Sequence, residues 1–126
     1  MVIFFVLFEV AKVRKIFHEG FVMAAKEYYM VGLSKLGTGD LEGAIVEFEK
    51  AVSEDASFYM AHLGWAQALD RQGKIDEAIE QVNCALQIVP DEALAHTSLS
   101  RLYQQKGMIE EAEKEMAISH QLSQNI

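Results

Sequence analysis

Residues Arg71–Ala78 read RQGKIDEA, and the same outline returns on either side, as GTGDLEGA at Gly37–Ala44 and QKGMIEEA at Gln105–Ala112. The offset is 34 residues each way, without a gap. The third position is always glycine (Gly39, Gly73, Gly107) and the eighth always alanine (Ala44, Ala78, Ala112). Taken alone, the first copy with its three glycines looks like a loop that wraps phosphate. A dinucleotide fingerprint, however, needs a preceding strand and a βαβ unit, and a Walker loop needs lysine and a hydroxyl residue where Ala44 and Ile45 follow. The sister copies keep only the middle glycine. The shared element is therefore a turn, and no nucleotide cofactor is expected.

Outward from these turns the register holds over repeats 25–58, 59–92 and 93–126. Phe48, Val82 and Met116 share one column, Gly32, Ala66 and Ser100 another, and Ala51, Ala85 and Ser119 a third. Each unit reads as helix A, a glycine turn and helix B. Alanine, leucine, glutamate, lysine and glutamine dominate, there is one proline, and no long run alternates in the manner of a strand. The B helices open with acids, Glu42, Asp76 with Glu77, and Glu110 with Glu111, which suit the positive end of a helix dipole. A single hairpin of this kind cannot bury its apolar face, so the units must stack.

This pattern resembles the tetratricopeptide repeat (TPR) family, with small residues at positions 8 and 20, glycine near 15, a large residue at 24 and alanine at 27. Position 32 is proline only at Pro90, with Ala56 and Gln124 elsewhere. The usual tryptophan column reads Tyr28, His62 and His96, and Trp65 sits three places later. The resemblance implies an all-α fold: an α-solenoid, a right-handed superhelix of three TPR helix-turn-helix units over residues 23–126. It also implies a concave groove lined by the A helices. Tyr29, Met30, Leu33 and Leu36 would line it in the first repeat, Met60, Leu63, Gln67 and Arg71 in the second, and Leu94 and Arg101 in the third. Lys26, Gly37, Gly64, Asp70, Thr97, Ser98, Gln104 and Gln105 occupy the remaining groove positions. The apolar members would accept side chains from a peptide or helix of a partner protein, and Arg101 a carboxylate. Alternatively, some of these apolar residues are core, or lie under the N-terminal segment. Chaperone-binding relatives grip a terminal carboxylate with lysine, asparagine and arginine. The matching places here read Tyr29, Leu33, Gly64, Leu94 and Ser98, so that clamp is not expected.

Residues 1–22 stand apart. The apolar run Val2–Phe8 is far shorter than the ~20 residues of a membrane span. Lys12, Arg14 and Lys15 follow that run, whereas in a secretory signal the charges precede it. Three readings fit the segment. It is an amphipathic helix capping the domain, with Val6, Val10, Val13, Phe17 and Phe21 on one stripe; a membrane-surface segment; or translated leader, with the natural start at Met23.

Other chemistry finds little support. The formal net charge of −8 disfavours a nucleic-acid partner. No His or Cys pair has zinc spacing, so neither a metal nor any other cofactor is expected. Carboxylates fall mainly on B-helix faces, where solvation explains them, and no nucleophile elbow or metalloprotease motif is present, so the chain reads as non-enzymatic. The single Cys84 cannot form an internal disulfide and suits a reducing, cytoplasmic setting. The sequence thus points to a protein-interaction scaffold. The alternative is a homo-oligomer built through uncapped solenoid ends or an exchanged N-terminal helix.

Overall fold

The computed structural model describes residues 24–125. The expectations for the N-terminal segment fall outside this range. The described residues form six helices: α1 (24–38), α2 (Leu41–Glu54), α3 (Tyr59–Arg71), α4 (Ile75–Ile88), α5 (Ala93–Gln105) and α6 (Ile109–Gln124). They contain no strand. From α2 onward each helix packs on the next, α2 on α3 through to α5 on α6, giving a solenoid of three hairpins.

The turns repeat in atomic detail. Gly39, Gly73 and Gly107 have φ of 87°, 81° and 78°, the left-handed conformation that closes helices α1, α3 and α5. The amide after each glycine donates five residues back, Asp40 to Lys35, Lys74 to Leu69 and Met108 to Tyr103, all at 2.9 Å. The first turn has an addition. Asp40 Oδ1 accepts the Gly43 amide at 3.0 Å, capping α2, whereas Lys74 and Met108 cap α4 and α6 without a side-chain bond. Gly43 makes room for that carboxylate, since a Cβ there would stand 2.2 Å from Asp40 Oδ2.

The small columns are the contact seams. Ala44, Ala78 and Ala112 have no exposed surface, nor do Ala51 and Ala85. Where the third repeat replaces a small apolar residue by serine, the hydroxyl is satisfied: Ser100 Oγ donates to Ala112 O at 2.8 Å, and Ser119 Oγ to Ala93 O at 3.1 Å. Phe48 is wholly buried between α1 and α3, where Cβ atoms at Gly32 and Gly64 would come within 2.6 and 2.7 Å of its ring. Phe48 gathers Leu36, Ala44 and Ala68 into one core. A second core holds Leu69, Val82, Leu99 and Leu102. Ile45 and Trp65 pack against both.

The column of Tyr28, His62 and His96 ties helix A to helix B. His62 Nδ1 lies 2.8 Å from Gln81 Oε1, and its ring stacks on Trp65. One repeat later, His96 Nδ1 lies 2.6 Å from Glu115 Oε2, and Nε2 lies 3.0 Å from Pro90 O. Both His96 nitrogens therefore face acceptors, an arrangement that suits the imidazolium. Burial pulls the His96 pKa down, but the Glu115 and Pro90 hydrogen bonds, with the charges of Glu115 and Asp91, outweigh it and hold the group above its usual value.

Candidate peptide-binding groove

The side chains expected to line the groove divide into three groups. Leu63 and Gln67 of α3 meet Leu94, Ser98 and Arg101 of α5 around a cleft of about 150 Å³, floored by Ala66, Val82 and Leu102. Helical geometry sets this convergence: Leu63 and Gln67 are four residues apart, Leu94, Ser98 and Arg101 four and three, so each set forms one stripe. Leu94 is 62% exposed at the mouth. Ala66 and Val82 of the floor come from the repeat columns at positions 8 and 24, whereas Leu102 lies in a column that begins with the exposed Ser34 and carries no such mark.

Met30, Leu33 and Met60 are exposed elsewhere on α1 and α3. Met30 lines a separate hollow with Lys26, Glu27 and Val31. Glu27 and Val31 occupy the columns of Ala61, Ala95 and Leu99, which the preceding hairpin buries in the later repeats. Among the described residues no helix covers that face of α1.

The third group is structural. Leu36 is only 4% exposed and packs with Phe48, so it is core and not a groove contact. It lies one turn beyond Gly32 on α1 and follows that glycine into the α1–α3 seam. Gly64 is likewise buried, against Phe48. Tyr29 is half-buried, edge-on to Phe58 at 5.2 Å and tilted against Phe48 at 6.0 Å. Burial raises its phenol pKa. Arg71 is exposed, yet its Nη1 donates to Leu36 O at 2.9 Å, closing the carbonyl end of α1 from the next repeat. Thr97 Oγ1 bonds Ala93 O and Ser119 Oγ inside its own hairpin.

Asp70 organises the groove wall. Its Oδ2 lies 3.0 Å from Arg101 Nη2, and its Oδ1 accepts from Gln105 Nε2 at 3.0 Å. One carboxylate thus orients two side chains of the following A helix. The sequence places all three in the groove, but their pairing emerges only when position 12 of one repeat meets positions 9 and 13 of the next.

The described residues contain no group of His, Cys, Asp and Glu able to hold a metal ion, and no described helix is long and apolar enough to cross a membrane. Cys84 is a half-buried free thiol.

Stacked helical hairpins, turned by left-handed glycines and sealed by alanine columns, define an α-solenoid of short repeats. The tetratricopeptide repeat profile matches residues 29–93, more than half the chain, and the protein belongs to that family. No curated protein matches the sequence at a significant level. Among solved structures, MamA is similar at 23% identity and TM-score 0.78, over 82% of this chain and 61% of that one. This chain therefore spans about three-fifths of MamA. The first TPR of Spaghetti (RPAP3), bound to the HSP90 peptide SRMEEVD, is similar at 20% identity and TM-score 0.79, over 83% of each chain. The Yersinia enterocolitica type III secretion chaperone SycD, in complex with a peptide of the translocator YopD, shares 21% identity at TM-score 0.74. That match covers 77% of this chain and 74% of SycD.

Proposed function

We propose that the protein is a non-catalytic interaction module that holds a segment of a partner protein along the face formed by α1, α3 and α5. The observation that carries this reading is the cleft itself. Leu63, Gln67, Leu94 and Arg101, separated by up to 38 residues in sequence, surround one open hollow with an apolar floor and a polar rim. Such a combination takes an apolar side chain and fixes its orientation. Two structures of similar fold hold peptides, which supports the same use of the fold here. Met60 and Leu94 are the residues to alter, because both are exposed and neither belongs to a core cluster. Partners are captured from the native cell with a chain beginning at Met23, and again with Met60→Ser/Leu94→Ser. Loss of the captured protein by a folded double variant supports the groove; its full retention refutes the groove.

A second reading, self-association, draws on Ile109 and Ile118, both exposed on α6. Light scattering on the full-length and Met23-start proteins decides it, and a monomer in both cases removes it.

A further inference from the structure

We infer that the α3–α5 cleft selects an acidic segment: one bulky apolar side chain seated between Leu63 and Leu94, with an internal aspartate or glutamate within a turn of it that reaches Arg101. The inference rests on the groove reading above and adds the chemistry of its partner.

Size comes first. A hollow of about 150 Å³ matches a cavity that takes a benzene-sized group, so one leucine, methionine or phenylalanine side chain fills it. Charge comes second. The B helices α2, α4 and α6 carry eleven carboxylates against two lysines, whereas Arg101 is the one charged side chain among the described residues that line the cleft. The chain is strongly acidic, yet its acids are collected on the helices away from the cleft. Of the described carboxylates beside the cleft, Asp70 already serves Arg101 and Gln105 with its two oxygens, and Glu92 caps α5 through the Leu94 amide.

Arg101 is the third element. Its side chain is 56% exposed, and among the described residues it is Nη2 that is paired, with Asp70. A guanidinium presents five donors in a rigid fork, so Asp70 holds one edge and leaves others for an incoming carboxylate. Gln67 and Ser98 on the same rim add neutral donors. The acid is a side chain rather than a chain terminus, since the rim is open and lacks the lysine and asparagine cluster that would enclose a terminal carboxylate.

The test uses C-terminally amidated peptides with a serine-glycine background. Each holds a single leucine, methionine, phenylalanine or serine, flanked by glutamate, glutamine or lysine. Binding is followed by amide chemical shifts of the Met23-start protein. Glutamate-flanked apolar peptides are expected to shift the amides of Leu63, Leu94 and Arg101, more weakly at high salt. Gln67→Lys, which adds a cation and removes no contact to the fold, strengthens them several-fold. Gln67→Glu and Arg101→Ala weaken them about tenfold, the scale of one charge-assisted hydrogen bond. Equal binding of all three flanking types, with no response to Gln67→Lys, overturns the acidic preference and leaves the groove reading standing. Lysine-flanked peptides binding best also overturns it. No shift with any peptide, while the spectrum remains that of the folded protein, overturns both readings.

Discussion

Replacing Gly64 with alanine tests the seam that sets the spacing of the first two repeats. The added Cβ would stand 2.7 Å from Cε1 and Cζ of Phe48, nearer than carbon atoms approach without displacement. The ring cannot retreat. It is wholly buried, and the backbone at Gly32 also crowds it, since a Cβ there would stand 2.6 Å from the same Cε1. Overpacking of a rigid core costs up to about 3 kcal/mol. Alanine returns roughly 1 kcal/mol through its better helix propensity. The balance is a loss of about 2 kcal/mol, which for a domain of ~100 residues lowers Tm by about 10 °C. Gly37→Ala is the control: nothing lies within 4 Å of its Cβ position, so it gains stability by up to ~1 kcal/mol. Urea denaturation followed by circular dichroism measures both. Phe48→Leu in the Gly64→Ala background recovers part of the loss, because the two changes share one volume. If Gly64→Ala unfolds at the same urea concentration as Gly37→Ala, or a higher one, the seam is not close-packed and the reasoning fails.

Gly73→Ala, at φ 81°, is expected to cost ~1–2 kcal/mol despite the open space around it, since the penalty is conformational rather than steric contact with neighbours; an unchanged urea midpoint counts against it. Asp40→Ala removes the side-chain cap of α2 and is expected to lower stability by about 1 kcal/mol, whereas Lys74→Ala, at a cap without such a bond, is near neutral. His96 has a raised pKa in the folded state, so its stabilisation is complete below its unfolded value of about 6.5 and is lost as pH rises through the folded value. The stability gap between parent and His96→Gln is therefore expected to shrink as pH rises above about 6.5; a gap that widens reverses the sign of the linkage. Asp70→Ala releases Arg101 and Gln105 together, and its cost, about 1 kcal/mol for a partly exposed network, should largely absorb that of Arg101→Ala in a double-mutant cycle.

Much of the solenoid is legible in the sequence because its rules are columnar. A glycine at one fixed place forces a left-handed turn, and an alanine at another admits a neighbouring helix. Three repeats then restate the instruction. The groove is less legible because its members depend on contacts between repeats. Leu36 shares a column with Asp70 and Gln104, which are polar, and nothing in that column marks it as core. It is buried because Gly32 and Gly64 draw α1 and α3 together around Phe48, a consequence of two missing side chains rather than of its own. Arg71 reads as a ligand-binding cation, yet it reaches back to the Leu36 carbonyl. Gln105, in the same column one repeat on, reaches back to Asp70. The column thus serves as an inter-repeat strut, with its acceptor changing from backbone to side chain.

That change of acceptor separates the two halves of the groove. Between α1 and α3 the strut ends on a backbone carbonyl and the seam beneath it is filled by Phe48 and Leu36. Between α3 and α5 the strut ends on Asp70, the ring at position 24 gives way to the smaller Val82, and an open cleft remains above it. Phe48 thus fills the seam between the first two repeats, and the smaller Val82, equally buried at the same position one repeat on, lies beneath the cleft between the next two. The same comparison places Leu63, which lies one residue before Gly64 on α3, at the boundary: its helix is pinned to α1 by the glycine and open to α5 by the leucine.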